Sequence, residues 1–430
     1  MTSPDDPSLP PSDVETLGAR AQRLISALGA ISDEPGRLTR LYLSPAHRRA
    51  ADLVADWMRT AGLAVTVDAL GTVRGRLPAS GAAASPRRLL IGSHIDTVTD
   101  AGKYDGTLGV VAGILAVDEI RRRRMTLPFA VEVLAFGDEE GVRFPTTLLS
   151  SSAIAGRFSP ADLDKADADG VTVRDALAAF GCDPSAAGDA ACDPAEILGY
   201  LEVHIEQGPV LEYEKLPLGV VTSIAGQTRF KCVVLGEAGH AGTAPMHLRR
   251  DALAAAAEIM GEIERIARAG RDDSLVATVG QMLVTPGAVN VVPARVDFSL
   301  DLRAASDPPR QAAIAEVRAK AREVAERRHV AVMIEPYHES ATTPCAPALQ
   351  QAFADGVASL GLPVRRLTSG AGHDGHAIHH LTDVGMLFVR CRRGISHNPL
   401  EFTEKDDMGL AVEALIGAIG SLARREEETP

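Results

Sequence analysis

Residues 128–144 read PFAVEVLAFGDEEGVRF, and the fold turns on the change of character at Gly137. Before it runs an apolar, strand-length segment that reads as a buried strand. After it come Asp138, Glu139 and Glu140, three adjacent carboxylates that repel one another. A strand end does not need them, so a positive group, or a proton to be moved, is expected beside them. Upstream, RRLLIGSHIDTV (87–98) is a second buried strand entering a loop. LGVVAGILAVDEIRRRR (108–124) between them reads as a helix whose arginines suit its C-terminal end. Buried strands alternating with helices indicate an α/β sheet with parallel segments.

Working outward, a helix is expected from Asp13 to about Ala30, and another over SPAHRRAADLVADWMRTAG (44–62), with Ser44 as N-cap and Pro45 in first position. LAVTVDALGTVRGRL (63–77) alternates as a hairpin around Leu70–Gly71. Residues 181–197, rich in Ala, Gly and Asp, are expected as a surface loop. From Leu218 the pattern becomes βαββαβ over about 120 residues, a self-contained two-layer unit. Helix–strand alternation then resumes. The expected architecture is a discontinuous α/β domain (1–217 and 338–430) with a mixed, largely parallel sheet, interrupted by an inserted α+β domain at 218–337.

The 430 residues carry a formal net charge of -13, which argues against a nucleic-acid or anionic-membrane binder. No apolar run is long enough to span a bilayer. The five cysteines are scattered with no C-x-x-C pair, so neither a disulfide framework nor a zinc ribbon is indicated. A reducing, cytoplasmic location fits. The leader MTSPDDPSLPPSD lacks a basic start and an apolar core, unlike a signal peptide.

Five segments place ligand-type residues in loops after apolar strands: GSHID (His94, Asp96), GKYDG (Asp105), GDEEG (Glu139, Glu140), VHIEQG (His204) and GISHNP (His397). In α/β sheets the carboxyl ends of the strands line the site crevice. Imidazole with carboxylate, and no thiolate, suits Zn, Mn, Co or Fe. The set is too large for one catalytic ion and suits two sharing a carboxylate, roughly 3.5–4 Å apart. Asp105, in a Gly-flanked turn before a helix, is the expected bridge. Asp96 reads as an outer partner that orients His94. Within DEEG, one Glu can ligate while its neighbour acts as a base. The histidines of GHDGHAIHH (372–380) by themselves invite a metal reading.

The segments GSHIDTVTDAGKYDGTLGVVAGI, FGDEEGVRFPTTLLSSSAIAG, EVHIEQGPVLE, GHAGTAPMHLRRDAL and GISHNPLEFT together resemble the dinuclear-metal amidohydrolases. That group includes allantoate amidohydrolase, N-carbamoyl-L-amino-acid hydrolase and β-ureidopropionase, and is akin to aminoacylase and carboxypeptidase-like metallopeptidases. The resemblance implies two divalent ions, Mn or Zn, on His94, Asp105, Glu140, His204 and His397, with Glu139 as general acid/base. It implies substrate contacts from Gln207, His240, Asn290, Arg303 and the loop at Gly370. It makes GHDGHAIHH a substrate-side loop and helix instead of a further metal site. It makes the inserted domain a lid and homodimerisation domain whose residues act in cis or, across the dimer, in trans. The implied reaction is hydrolysis of a ureido C–N bond on a small carboxylate, releasing ammonia and CO2. Arg303 would anchor that carboxylate through its guanidinium fork. Allantoate is the first expectation, from GKYDGTLG, HIEQGPVLE and VGMLFVRCRRGISHNP. An N-carbamoyl-L-amino acid is the alternative, since Gly375 and Arg393 depart from the pattern. A peptidase is disfavoured by His204. A non-catalytic dimeric binding protein is disfavoured by the intact ligand set with Glu139.

Overall fold

A computed structural model describes residues 16–80, 85–270 and 274–428. The leader and the Asp13 start of the first helix lie outside the described residues. The chain divides into two compact units: residues 1–222 with 345–367 and 372–430, and residues 223–344 with 368–371.

In the first unit, helix α1 (Leu17–Gly29) is capped by Thr16, whose hydroxyl accepts from Ala19 N–H. Helix α2 (Pro45–Thr60) is capped by Ser44, which accepts from His47 N–H. Strands β1 (Ala64–Val67) and β2 (Val73–Leu77) form the expected hairpin. Strands β3 (Arg88–His94) and β4 (Ala130–Phe136) are buried along their whole length. That is why they read as unbroken apolar runs: helices cover both faces of a parallel sheet. Helix α3 (Thr107–Arg122) crosses between them, and β5 (Ile197–Ile205) lies on the other side of β3. The order β1-β2-β4-β3-β5 continues to the strand Val384–Val389 and then to β6 (Leu218–Ile224). The pairings β4–β3, β3–β5 and β5 with Val384–Val389 are parallel, while the flanking pairs are antiparallel. The α/β class is therefore as read from sequence, with a mixed sheet that is parallel at its centre. Among the described residues, no helix is long and apolar enough to cross a membrane.

In the second unit, β7 (Gly226–Leu235) pairs on one side with Arg295–Ala304 and on the other with Ala331–Ser340. Helices Ala252–Ala269 and Asp307–Arg328 supply Ile259, Ile263, Val317 and Val324 to a core with Phe230, Phe298 and Leu300.

Three details differ from the sequence-based expectations. The second unit runs from Ser223 to Pro344, not 218–337. The start of β6 pairs with Val384–Val389 in the first unit, and the last strand extends to Ser340. Residues around Gly370 also join the second unit, where Arg303 Nη1 donates to Gly370 O at 2.6 Å. SLVATVGQMLV (274–284), a single strand in the βαββαβ reading, is two short strands, Val276–Thr278 and Met282–Thr285, both on Arg295–Ala304. Residues 181–197 are not a plain surface loop. They form the 3-10 turns Pro184–Ala190 and Pro194–Glu196, and they bury Ala187, Ala190 and Cys192.

Candidate metal centre

The carboxyl ends of the central strands bring the ligand-type residues of the first unit together. His94 is the last residue of β3 and His204 the penultimate residue of β5, so both lie within strands and not in the loops after them. Their ladders fix them, His94 opposite Phe136 and His204 opposite Phe388. Asp105 precedes α3, Glu139 and Glu140 follow β4, and His397 lies beyond Val384–Val389. His94, Asp105 and His204 offer donor atoms within 4.8 Å of one another, as do His94, Glu139 and Glu140, and as do Asp105, Glu140 and His397.

Asp105 is common to two of these groups. Its Oδ1 lies 3.1 Å from His204 Nε2 and 3.8 Å from His94 Nε2. Its Oδ2 lies 3.2 Å from His397 Nε2. His397 is also 3.4 Å from Glu140 Oε2, and Glu139 Oε2 is 3.9 Å from His94 Nε2. The His397 side chain is 52% exposed, so the cluster meets solvent on that side.

The backbone around the cluster is tightly fitted. Gly106 has φ +63, and a Cβ there would stand 2.4 Å from His94 Nε2. Asp96 receives Glu139 N–H at Oδ1 and Glu140 N–H at Oδ2, at 3.3 and 3.2 Å. The same carboxylate is 3.5 Å from His94 Nδ1, and that nitrogen is 3.1 Å from the Asp96 carbonyl. Asp96 thus ties the β3 end to the DEEG loop. Buried Arg40 holds the β3 end by donating to Ile95 O at 2.6 Å.

The electrostatics are those of an anionic pocket. Burial pushes the Glu139 carboxyl well above the ordinary range. Burial and then the Asp105 charge push Glu140 up to about 7. Burial also acts to raise Asp105, but hydrogen bonds to His204 and His397 overcome it and hold Asp105 well below the usual value. The hydrogen bond to Asp105 holds His397 up at about 9, against desolvation. Burial works against a charged His94, yet Asp96 and Glu139 hold it well above the usual histidine value. The imidazoles therefore supply the positive charge that the inward carboxylates demand. Oxygen and imidazole donors with that demand fit divalent cations.

Gln207, expected on substrate, donates from Nε2 to Asp105 Oδ2 at 2.9 Å, while its Oε1 is buried with no protein partner among the described residues. The remaining expected contacts are in the second unit. His240 pairs with Val291 in a two-residue ladder, and Ala241 N–H donates to Asn290 O at 2.9 Å. Arg303 turns Nε and Nη2 toward Asp301, both at 2.9 Å, so the Nε–Nη2 side of its fork is engaged. Of the histidines in GHDGHAIHH, His373 groups with Glu202 and His204, its ring 4.4 Å from that of His204. β5 carries Glu202 and His204 on one face, and the His373 loop packs against it. Ser396, Glu202 and Glu401 had no sequence signal beyond lying near a ligand.

The profile of Peptidase family M20/M25/M40 matches residues 90–421. The allantoate deiminase of Arabidopsis thaliana is 43% identical over 419 residues, covering 90% of this chain and 79% of that protein. The N-carbamoyl-L-amino acid amidohydrolase of Geobacillus stearothermophilus is 40% identical over 410 residues, covering 95% and 99%. The crystal structure of an amidase of the hydantoinase/carbamoylase family from Burkholderia multivorans superposes with a TM-score of 0.87 at 32% identity, over 95% of this chain and 98% of that one.

Proposed function

The chain belongs to Peptidase family M20/M25/M40 and is a hydrolase, and on that premise we propose that it cleaves a ureido C–N bond on a small carboxylate, with allantoate as substrate. The observation that carries the reading is Asp105, whose two oxygens face different imidazoles, His204 and His397. A shared carboxylate of this kind suits two ions. Two divalent ions, Mn or Zn, would be held by His94, Asp105, Glu140, His204 and His397, and when bound they supply Lewis acidity toward water and the ureido carbonyl.

The chain's own residues divide the rest of the work. Glu139 is the base. It lies in the cluster with Glu140 and 3.9 Å from His94 Nε2, where a carboxylate can take a proton from the attacking water and pass it on. Water oxygen adds to the ureido carbon, the bond to the substrate's own nitrogen breaks, and Glu139 protonates that nitrogen. The carbamate released breaks down to ammonia and CO2. Asp96 keeps His94 and the Glu139 backbone in place. His240 and Asn290 are assigned to the developing oxyanion, Arg303 and Gly370 to the substrate carboxylate, and Gln207 to the bridging Asp105 and the substrate. The second reading, hydrolysis of an N-carbamoyl-L-amino acid, is favoured by the Geobacillus relative, nearly all of whose length this chain covers.

Ammonia release by protein reconstituted with Mn or Zn, on allantoate beside a panel of N-carbamoyl-L-amino acids, decides between them. A higher kcat/KM on allantoate is expected, and a preference for a carbamoyl amino acid selects the second reading. Glu139→Gln is expected to keep its metal content and lose about 10²–10⁴-fold in kcat. A near-normal rate removes Glu139 as the base.

A further inference from the structure

Glu401 is 4% exposed and precedes the final helix Lys405–Glu428. Its Oε1 accepts the backbone N–H groups of Tyr104 and Asp105, at 2.7 and 3.1 Å. Its Oε2 is 2.9 Å from Ser396 Oγ, and that hydroxyl is 2.7 Å from Asp105 Oδ2. Gln207 Nε2 completes the group, 3.2 Å from Ser396 Oγ. One side chain therefore grips the backbone that carries Asp105 and, through Ser396, the residue directly before His397. The fit is close: a Cβ on Gly102 would stand 2.3 Å from Glu401 Cβ.

We propose that Glu401 is a positioning residue that fixes the Asp105 carboxylate and the His397 segment relative to each other, and so sets the affinity of the shared metal position. The inference rests on the two-ion reading above. With Ser396 and Gln207 both on Oδ2, the carboxylate cannot rotate freely, and Oδ1 stays directed at His204. Partners of this outer kind orient ligands, and their loss weakens metal binding by about 10–100-fold. A glutamine can replace Glu401: its oxygen accepts the two N–H groups, and its amide donates to Ser396 Oγ, leaving the hydroxyl hydrogen for Asp105. Alanine can do neither.

The test titrates metal-free protein with Mn2+, following free ion by electron paramagnetic resonance, for the wild type, Glu401→Gln, Glu401→Ala and Ser396→Ala. Circular dichroism monitors folding, and kcat and KM are measured on the wild type's ureido substrate. The expected result is two ions on the wild type and an affinity within about threefold for Glu401→Gln. Glu401→Ala is expected to lose about 10–100-fold at one or both ions, with kcat falling more than KM rises. Wild-type affinity in a folded Glu401→Ala overturns the proposal while leaving the two-ion reading intact. If Glu401→Ala does not fold, Ser396→Ala decides: a loss of tenfold or more supports the clamp, and no loss overturns it. A wild type that takes up no ion removes the two-ion reading and this inference together.

Discussion

Asp138 joins none of the ligand groups, although it is adjacent in sequence to Glu139. It is fully buried at φ +67, with Thr146 Oγ1 donating to its Oδ2 at 2.6 Å and its Oδ1 unpartnered among the described residues. Burial pushes its carboxyl up to about 8 from an unperturbed 3.8. The unfolded chain therefore gives up this proton near pH 4, while the folded chain keeps it until about pH 8. Between those values the folded state binds more protons, so this group's contribution to stability is present below about pH 4 and is lost as pH rises toward 8. Asp138→Asn has no proton to lose. It is expected to melt at a higher temperature than the wild type at pH 8, with the advantage shrinking toward pH 4. Calorimetry at pH 4, 6 and 8 checks this, and a pH-independent difference refutes it. So the three adjacent acids have different places: Glu139 and Glu140 face His94, and Asp138 is a buried part of the turn.

At the scale of elements, the site depends on where strands stop and helix α3 starts. His94 ends β3, and α3 begins only two residues after Asp105. Gly106 makes that approach possible, because any side chain there meets the His94 ring and because its φ of +63 disfavours other residues. Gly106→Ala is therefore expected to displace His94 and weaken Mn2+ uptake at least about tenfold, while the helical circular dichroism is retained. A titration indistinguishable from wild type would show that the ring has room to move. The placement of strands was legible because full burial writes an apolar run into β3 and β4. The 181–197 segment was not legible, since its small residues carry no period, and only packing around Ala187, Ala190 and Cys192 gives it form.

At the scale of the molecule, the second unit offers edges that need cover. Met282–Thr285 and Ala331–Ser340 are the outer strands of the order in its sheet, and Met282, Leu283, Met333 and Tyr337 are exposed on them. Exposed apolar edge strands are ready templates for pairing with another chain. A homodimer through this unit is the expected assembly, and light scattering at micromolar concentration checks it. A monodisperse monomer rules it out. Introducing Lys at Met333 and Tyr337 together is expected to shift a dimer toward monomer.

The α/β class was legible in the sequence alone, and so was which residues carry metal-type donor chemistry. Burial periodicity and donor chemistry are local properties, and each is carried by a few adjacent residues. Tertiary structure alone decided which side chains hold those donors in place. Gln207 turns to Asp105, and Ser396 and Glu401 reach Asp105 from almost 300 positions away. Such contacts leave no period and no spacing in the chain. They exist only because parallel strands bring their carboxyl ends to one edge of the sheet, where loops distant in sequence become neighbours.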